Sequence, residues 1–160
     1  EHANPVVLWQ QSGEYRPVPV RPSVAQAAMI GNPVSFPKVS HLVQEHFQDR
    51  FTAVQVTEQE IIEAMLTANR HGHVVCTQGG EALVGLKKGV EMGLVGPDRQ
   101  VVVDSTSHQL KFAGFQQMYF EDSFPEEYEI RPRKELQNRP VALEASPEAI
   151  ARHLGLKKKG

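Results

Sequence analysis

Apolar residues along this chain alternate between helix-like and strand-like spacing. Pro22 and Ser23 precede the run Val24 to Ile30 and Gly31 follows it, which predicts a short helix with a glycine stop. Ser35 and Pro37 open a second helix, with Val39, Leu42, Val43, His46 and Phe47 on one side. Phe51 to Val56 reads as a strand. Thr57-Glu58-Gln59-Glu60 then forms a capping box, in which the Thr57 hydroxyl accepts from the Glu60 amide and Glu60 reaches back. The helix it opens carries Ile61, Ile62, Met65 and Leu66 and stops near Gly72.

His73 to Cys76 reads as a short strand, and Gly79-Gly80 lead into a helix with Leu83, Leu86, Val90 and Leu94 on its inner face. After the Pro97-Asp98 turn, Val101-Val102-Val103 is a continuous apolar run, the pattern of a strand buried on both faces. Ser105-Thr106-Ser107 follow, then a helix bearing Leu110, Phe112, Phe115, Met118 and Tyr119. Three alternations of strand and helix predict an α/β fold: a three-layer parallel sheet flanked by helices. Residues 1–120 carry this pattern. Residues 121–160 are more polar, are broken by Pro125, Pro132 and Pro140, and are expected to pack on the same domain as a C-terminal extension. Ser146-Pro147 caps a last helix to Leu154 with Gly155 ending it, and Lys157-Lys158-Lys159 reads as a solvated tail. Glu126-Glu127 reads as solvated surface, and Trp9 with its apolar neighbours as a packed helix.

Composition adds boundaries. The 160 residues suffice for one domain with a core, and 40% hydrophobic and 22% charged residues are ordinary for a globular protein. A net charge of -2 gives no reason to expect a nucleic-acid or anionic-membrane partner. No apolar run approaches the roughly 20 residues of a membrane helix. Cys76 is the only cysteine, which excludes an intrachain disulfide and fits a reducing, cytoplasmic setting. The opening Glu1-His2-Ala3-Asn4-Pro5 has no basic and apolar leader and no initiator Met, so an excised or processed piece is expected.

In parallel sheets, ligands bind beyond the carboxyl ends of the strands. Two strand-to-helix turns have the composition for this, Thr77-Gln78-Gly79-Gly80 and Ser105-Thr106-Ser107-His108. Small residues, hydroxyls and helix amides suit an anionic ligand, and the two turns are expected to line one polar pocket, although the same residues also serve as ordinary turn and cap residues. His71 and His73 share a spacing that lets one strand face chelate a metal, but no third ligand is evident, and a turn role fits them better. Cys76 reads as a buried small hydrophobe.

Four ordered segments carry a resemblance. Val101 to Phe112 resembles a threonine synthase segment in which an apolar strand runs into Ser-Thr-Ala-His-Gly-Leu-Lys-Phe. Ser105, Thr106, His108, Leu110, Lys111 and Phe112 match, while Ser107 and Gln109 depart. Cys76 to Leu83 is similar to the family turn Cys-Pro-x-(Thr or Ser)-Gly-x-Ala-Leu, best at Gly80, Ala82 and Leu83. Glu1 to Pro5 resembles the entry Glu-x-Ala-Asn-Pro, and Ser23 to Ser35 the stretch Thr-x-Ala-x-Ala-x-x-Ile-Gly-x-Pro-x-Ser.

The resemblance implies the C-terminal part of a fold type II (tryptophan synthase β-like) pyridoxal-phosphate enzyme, a lyase of threonine biosynthesis. Its substrate is O-phospho-L-homoserine, converted with water to L-threonine and phosphate. Thr106 is then the residue whose hydroxyl meets the pyridine nitrogen of pyridoxal phosphate, with Ser105, Gly79 and Gly80 beside the cofactor. His108 and Lys111 are expected at the substrate. A direct cofactor contact from Asp104 is not expected. The family's Schiff-base lysine and glycine-rich phosphate cup lie in its N-terminal part. None of Lys38, Lys87, Lys88, Lys111 or Lys134 sits in a segment like the lysine motif, so no catalytic residue is expected here. The isolated chain is expected to be inactive, with the N-terminal portion of the same enzyme as a partner and self-association as a second possibility. Cysteate synthase, threonine dehydratase and cysteine synthase are alternatives within the fold, and a non-catalytic α/β binding domain is one outside it.

Overall fold

The computed structural model describes residues 1–156; the lysine tail lies outside the described residues. The helices are α1 (Pro5–Ser12), α2 (Phe36–Leu42), α3 (Glu58–Arg70), α4 (Thr77–Glu91), α5 (Ala113–Glu121) and α6 (Pro147–His153). Short 3-10 turns occupy Gln26–Ala28, Gln48–Arg50, Gln109–Phe112, Glu126–Tyr128 and Lys134–Leu136, and a π turn occupies Val43–Phe47. The helix expected over Val24 to Ile30 is therefore a single 3-10 turn.

α3 begins at the capping box read from the sequence. The Thr57 hydroxyl accepts from Glu60 N at 3.2 Å, and the Glu60 carboxylate accepts from Thr57 N at 2.8 Å. α6 is likewise capped, by Ser146 accepting from Ala149 N at 3.2 Å. α3 buries Ile61, Ile62, Met65 and Leu66, the face its periodicity predicted.

α4 lies directly against that face. A side chain on Gly80 would put its Cβ 2.5 Å from the Ile61 carbonyl and 3.1 Å from Met65 N, so only glycine permits this approach of the two backbones. Val84 is the buried aliphatic residue of α4. The expected inner face turns out rotated: Leu83 and Leu86 are half-buried, while Val90 and Leu94 are exposed. The glycine contact sets the rotation of the helix, and the larger side chains follow it. The core is completed by Val24, Ala25, Val56, Phe115, Tyr119, Phe120 and Ile130, with Tyr128 and Leu136 packed on it. At the other end, Trp9 of α1 meets Phe36 edge-on at 5.1 Å, and Tyr15 stacks on the same ring.

The three-layer parallel sheet expected from the sequence is not formed among the described residues; the one β pairing is an isolated antiparallel bridge between Val75 and His108. The reason lies in where the backbone polar groups of the three extended segments go. In 51–56, side chains serve them: Gln10 donates to the Phe51 carbonyl at 2.9 Å and accepts from Ala53 N at 2.7 Å, and Lys88 donates to the Gln55 carbonyl at 2.6 Å. In 73–76, the Val75 amide is shared between the His73 carbonyl and the Asn69 side chain. Residues 101–104 make no backbone hydrogen bond among the described residues.

Candidate functional site

α4 starts two residues earlier than the glycine pair, at Thr77, and its N-cap is Cys76 in extended conformation. The Cys76 sulfur accepts from Gly79 N at 3.4 Å. Thr77 and Cys76 are fully buried. The bridge from Val75 to His108 then draws the second turn alongside the first. The Cys76 sulfur lies 3.8 Å from the Thr106 hydroxyl. A Cβ on Gly79 would sit 3.2 Å from the Ser105 hydroxyl and 2.9 Å from the Val75 Cβ. The two turns singled out in the sequence thus face each other, 30 residues apart along the chain.

A third segment joins them. With its amide oxygen turned toward the Gln26–Ala28 turn, Gln78 accepts from Ala27 N at 3.0 Å and Gln26 N at 3.3 Å, and donates to the Thr77 hydroxyl at 3.3 Å. The fourth segment anchors that third one from behind. His2 Nδ1 hydrogen-bonds the Pro22 carbonyl, and the buried Glu58 carboxylate accepts from the Ser23 hydroxyl at 3.0 Å and from Val24 N at 2.6 Å. His2 Nδ1 is also 3.7 Å from Glu58 Oε1.

The individual candidates differ in setting. Ser105 and Thr106 are exposed, with their hydroxyls toward the Cys76–Gly79 turn. Ser107 Oγ is buried without a hydrogen-bond partner among the described residues. Gly80 faces α3 rather than Ser105 and Thr106. His108 uses Nδ1 to accept from Leu110 N at 3.2 Å, capping the 3-10 turn that carries Lys111. Lys111 is exposed, beside a cleft of about 190 Å³ shared with Gln26, Phe112 and Phe115, and no carboxylate lies within ion-pair distance of it among the described residues.

Three groupings were not foreseen from the sequence. Glu58 is one; its signal is the spacing 58, 61, 62, 65, which puts a carboxylate on the buried stripe of α3. The second joins distant residues: the Tyr119 hydroxyl accepts from Arg133 N at 3.0 Å and donates to Glu63 Oε1 at 3.2 Å, while the Arg133 guanidinium pairs with Glu63. Burial, with the Glu63 carboxylate beside it, pushes the Tyr119 phenol above its ordinary range. No local spacing announces that cluster. The third is a groove of about 680 Å³ between α3 and α4, lined by Thr67, His71, His73, Leu83, Lys87 and Arg133. It lies apart from the converging turns, and His71 Nδ1 is engaged by the Thr67 carbonyl at 2.8 Å.

On the converging turns the exposed Ser105 and Thr106 place their hydroxyls against the buried start of α4; next to them in sequence the Ser107 hydroxyl is buried, and Lys111 is exposed, neither with a polar or acidic partner among the described residues. These residues fit a phosphorylated cofactor with a heteroaromatic ring. No helix among the described residues is long and apolar enough to cross a membrane.

No protein-family model matches the chain. Curated proteins do. The chain is 32% identical over 114 residues to threonine synthase 2, chloroplastic, of Arabidopsis thaliana, a match covering 69% of this chain and 22% of that protein. It is 36% identical over 90 residues to the threonine synthase of Methanocaldococcus jannaschii and 38% identical over 90 residues to that of Methanosarcina acetivorans, each match covering 56% of this chain and 22% of the relative. The chain therefore spans about a fifth of the length of the relatives it matches.

Proposed function

We propose, on the premise that this chain is a homologue of the threonine synthases and matches a C-terminal portion of them, that it forms one wall of the active site of a pyridoxal-phosphate-dependent lyase. The complete protein would convert O-phospho-L-homoserine and water to L-threonine and phosphate. The observation that carries this reading is the approach of Thr106 to Cys76 at 3.8 Å, which joins two of the matched turns into one surface.

Thr106 and Ser105 would hold the cofactor ring, and Gly79, with no side chain, would contribute by letting Ser105 come close to the start of α4. Gly80 supports the same turn through α3. When bound, pyridoxal phosphate supplies the electron sink for loss of phosphate and addition of water. The Thr106 hydroxyl is too weak an acid to protonate a pyridine nitrogen; it donates a hydrogen bond and so favours a neutral ring, where a carboxylate would hold a pyridinium. Lys111 lies near the end of a short 3-10 segment, two residues before α5 begins, where the α5 dipole disfavours a cation, and it has no acidic partner among the described residues. A substrate phosphate dianion satisfies both conditions. His108, held by Leu110 N, orients the backbone that carries Lys111 and offers its other ring nitrogen to the same anion.

Residues 1–120 carry this wall, and the described part of the extension, residues 121–156, packs on it through Tyr128, Ile130 and Leu136. The Schiff-base lysine belongs to the rest of the enzyme, so residues 1–160 alone do not turn the substrate over. The setting is cytoplasmic, and the complete enzyme is open to homo-oligomerisation. Phosphate release from O-phospho-L-homoserine by the complete protein, with Thr106→Val alongside, tests the reading. Release that falls sharply on substitution supports both the reaction and the role of Thr106. Unchanged release rejects that role, and no release from a folded, cofactor-loaded protein rejects the reaction.

A further inference from the structure

The Cys76 thiol is fully buried, and among the described residues it meets two polar groups. The sulfur accepts from Gly79 N at 3.4 Å, and it lies 3.8 Å from Thr106 Oγ1. A thiol and a hydroxyl each carry one hydrogen and accept through lone pairs. Were Thr106 to donate to the sulfur, the thiol hydrogen would stay buried without a partner. With the thiol as donor, both hydrogens are used: the thiol hydrogen goes to Thr106 Oγ1, and the hydrogen of the exposed Thr106 hydroxyl turns outward. The second arrangement is the favoured one. The pair is held in place from both sides, by the extended N-cap backbone of Cys76 and by the bridge from Val75 to His108.

We infer that Cys76 is a positioning residue for Thr106: its thiol donates to Thr106 Oγ1 and so directs the Thr106 hydroxyl hydrogen toward the pyridine nitrogen of pyridoxal phosphate. This rests on the reading of Thr106 as the residue that meets that nitrogen. A neutral pyridine nitrogen can only accept, so a hydroxyl serves it only with its hydrogen facing the ring. Alone, the Thr106 hydroxyl rotates freely and also presents its lone pairs. The thiol occupies one of those lone pairs and removes the wrong orientation. Sulfur suits the task, because it is a weak acceptor and competes little with the ring nitrogen for the Thr106 hydrogen. Cys76 itself touches no ligand; its effect passes through Thr106.

A double-substitution cycle in the complete protein tests the inference, with Cys76→Ala, Thr106→Val and the two combined. Two quantities are read. One is the affinity of the cofactor-free protein for added pyridoxal phosphate. The other is the nitrogen NMR shift of cofactor isotopically labelled at its ring nitrogen, which reports whether that nitrogen accepts a hydrogen bond. Thr106→Val and Cys76→Ala are each expected to weaken affinity by about threefold to tenfold. Each also moves the ring-nitrogen shift toward that of an unbonded, neutral pyridine. In the Thr106→Val background, Cys76→Ala then changes affinity by less than about twofold and leaves the shift where it is. If Cys76→Ala does not fold, Cys76→Val fills the space of the sulfur without a donor and replaces it in the cycle. Equal losses of affinity in both backgrounds make the cysteine a structural cap only and overturn the inference. So does an unmoved shift in Cys76→Ala when Thr106→Val moves it. If Thr106→Val itself leaves the shift unmoved, the reading of Thr106 falls and the inference falls with it. A cycle with the expected coupling in a protein that releases no phosphate keeps the positioning role and rejects only the reaction.

Discussion

The carboxylate of Glu58 and the backbone amide of Val24 meet at 2.6 Å inside the protein, 34 residues apart along the chain. Glu58 is only 3% exposed and also accepts from Ser23. Together these bonds fasten the segment before the Gln26–Ala28 turn to the first turn of α3. Glu58→Ala leaves two buried donors unsatisfied, at about 1–3 kcal/mol each. A loss of about 3 kcal/mol in urea unfolding is expected, with Glu58→Gln losing less. A loss below that of an ordinary surface substitution would show that the carboxylate does not hold the segment.

Gly79 and Gly80 are adjacent but answer to different neighbours, and alanine at each separates them. Gly80→Ala drives a methyl into the Ile61 carbonyl at 2.5 Å, which rigid backbone cannot evade, so thermal stability falls by about 2 kcal/mol or more. Gly79→Ala meets the Val75 Cβ at 2.9 Å, a milder overlap than that at Gly80, and the Ser105 hydroxyl at 3.2 Å, which can rotate away, so it costs less. Pyridoxal phosphate titrated into the complete protein reverses the order: weaker binding is expected for Gly79→Ala than for Gly80→Ala once both are measured folded. Equal stability losses would contradict the packing argument.

Acid stability depends on Glu60. Burial pushes its carboxyl up, but the Thr57 amide and the Lys88 ammonium, 2.9 Å away, outweigh burial and hold it below its ordinary 4.5. A carboxyl depressed by folding adds stability that is complete above the ordinary value and is lost as pH falls through the folded one. The window therefore lies at and below pH 4.5. Lys88→Met should flatten the fall in stability across that window and lower stability at neutral pH, because the bond to the Gln55 carbonyl goes too. An unchanged acid profile in equilibrium melts would remove Lys88 as the cause.

Tyr119 links Glu63 to the backbone of Arg133 through its hydroxyl. Tyr119→Phe keeps the ring in the core and removes the link, so a loss of about 1 kcal/mol is expected. The double substitution with Glu63→Gln should cost less than the sum of the two single ones. Additive losses would mean the hydroxyl and the carboxylate act separately.

Local signals in the sequence located α3 and α6 well, while the helix expected over Val24 to Ile30 shrinks to one 3-10 turn. The Thr57–Glu60 box, the Ser146 cap and the stripe from Ile61 to Leu66 depend on residues three or four apart, and the structure repeats them. The rotation of α4 was illegible, because it is set by the approach of Gly80 to a carbonyl on another helix, not by the leucines of α4 itself. Val101 to Val103 were read as strand from composition, but a strand exists only with a neighbour, and composition names none. At the candidate site, the residue types at 77–80 and 105–108 were legible. That the two turns share one surface was expected as well, but from a parallel sheet that does not form; the contact that joins them, Cys76 with Thr106, was not legible, since it crosses 30 residues and hangs on one sulfur.

That sulfur has a practical consequence. Cys76 is the single thiol of the chain, fully buried at the N-cap of α4. An alkylating reagent can reach it only when the start of α4 parts from its surroundings. Labelling of the unaltered protein therefore times that one opening event, with every modified molecule recording it once. The turn where the ligand is expected carries its own stopwatch, and any molecule that binds there and holds α4 closed will slow it.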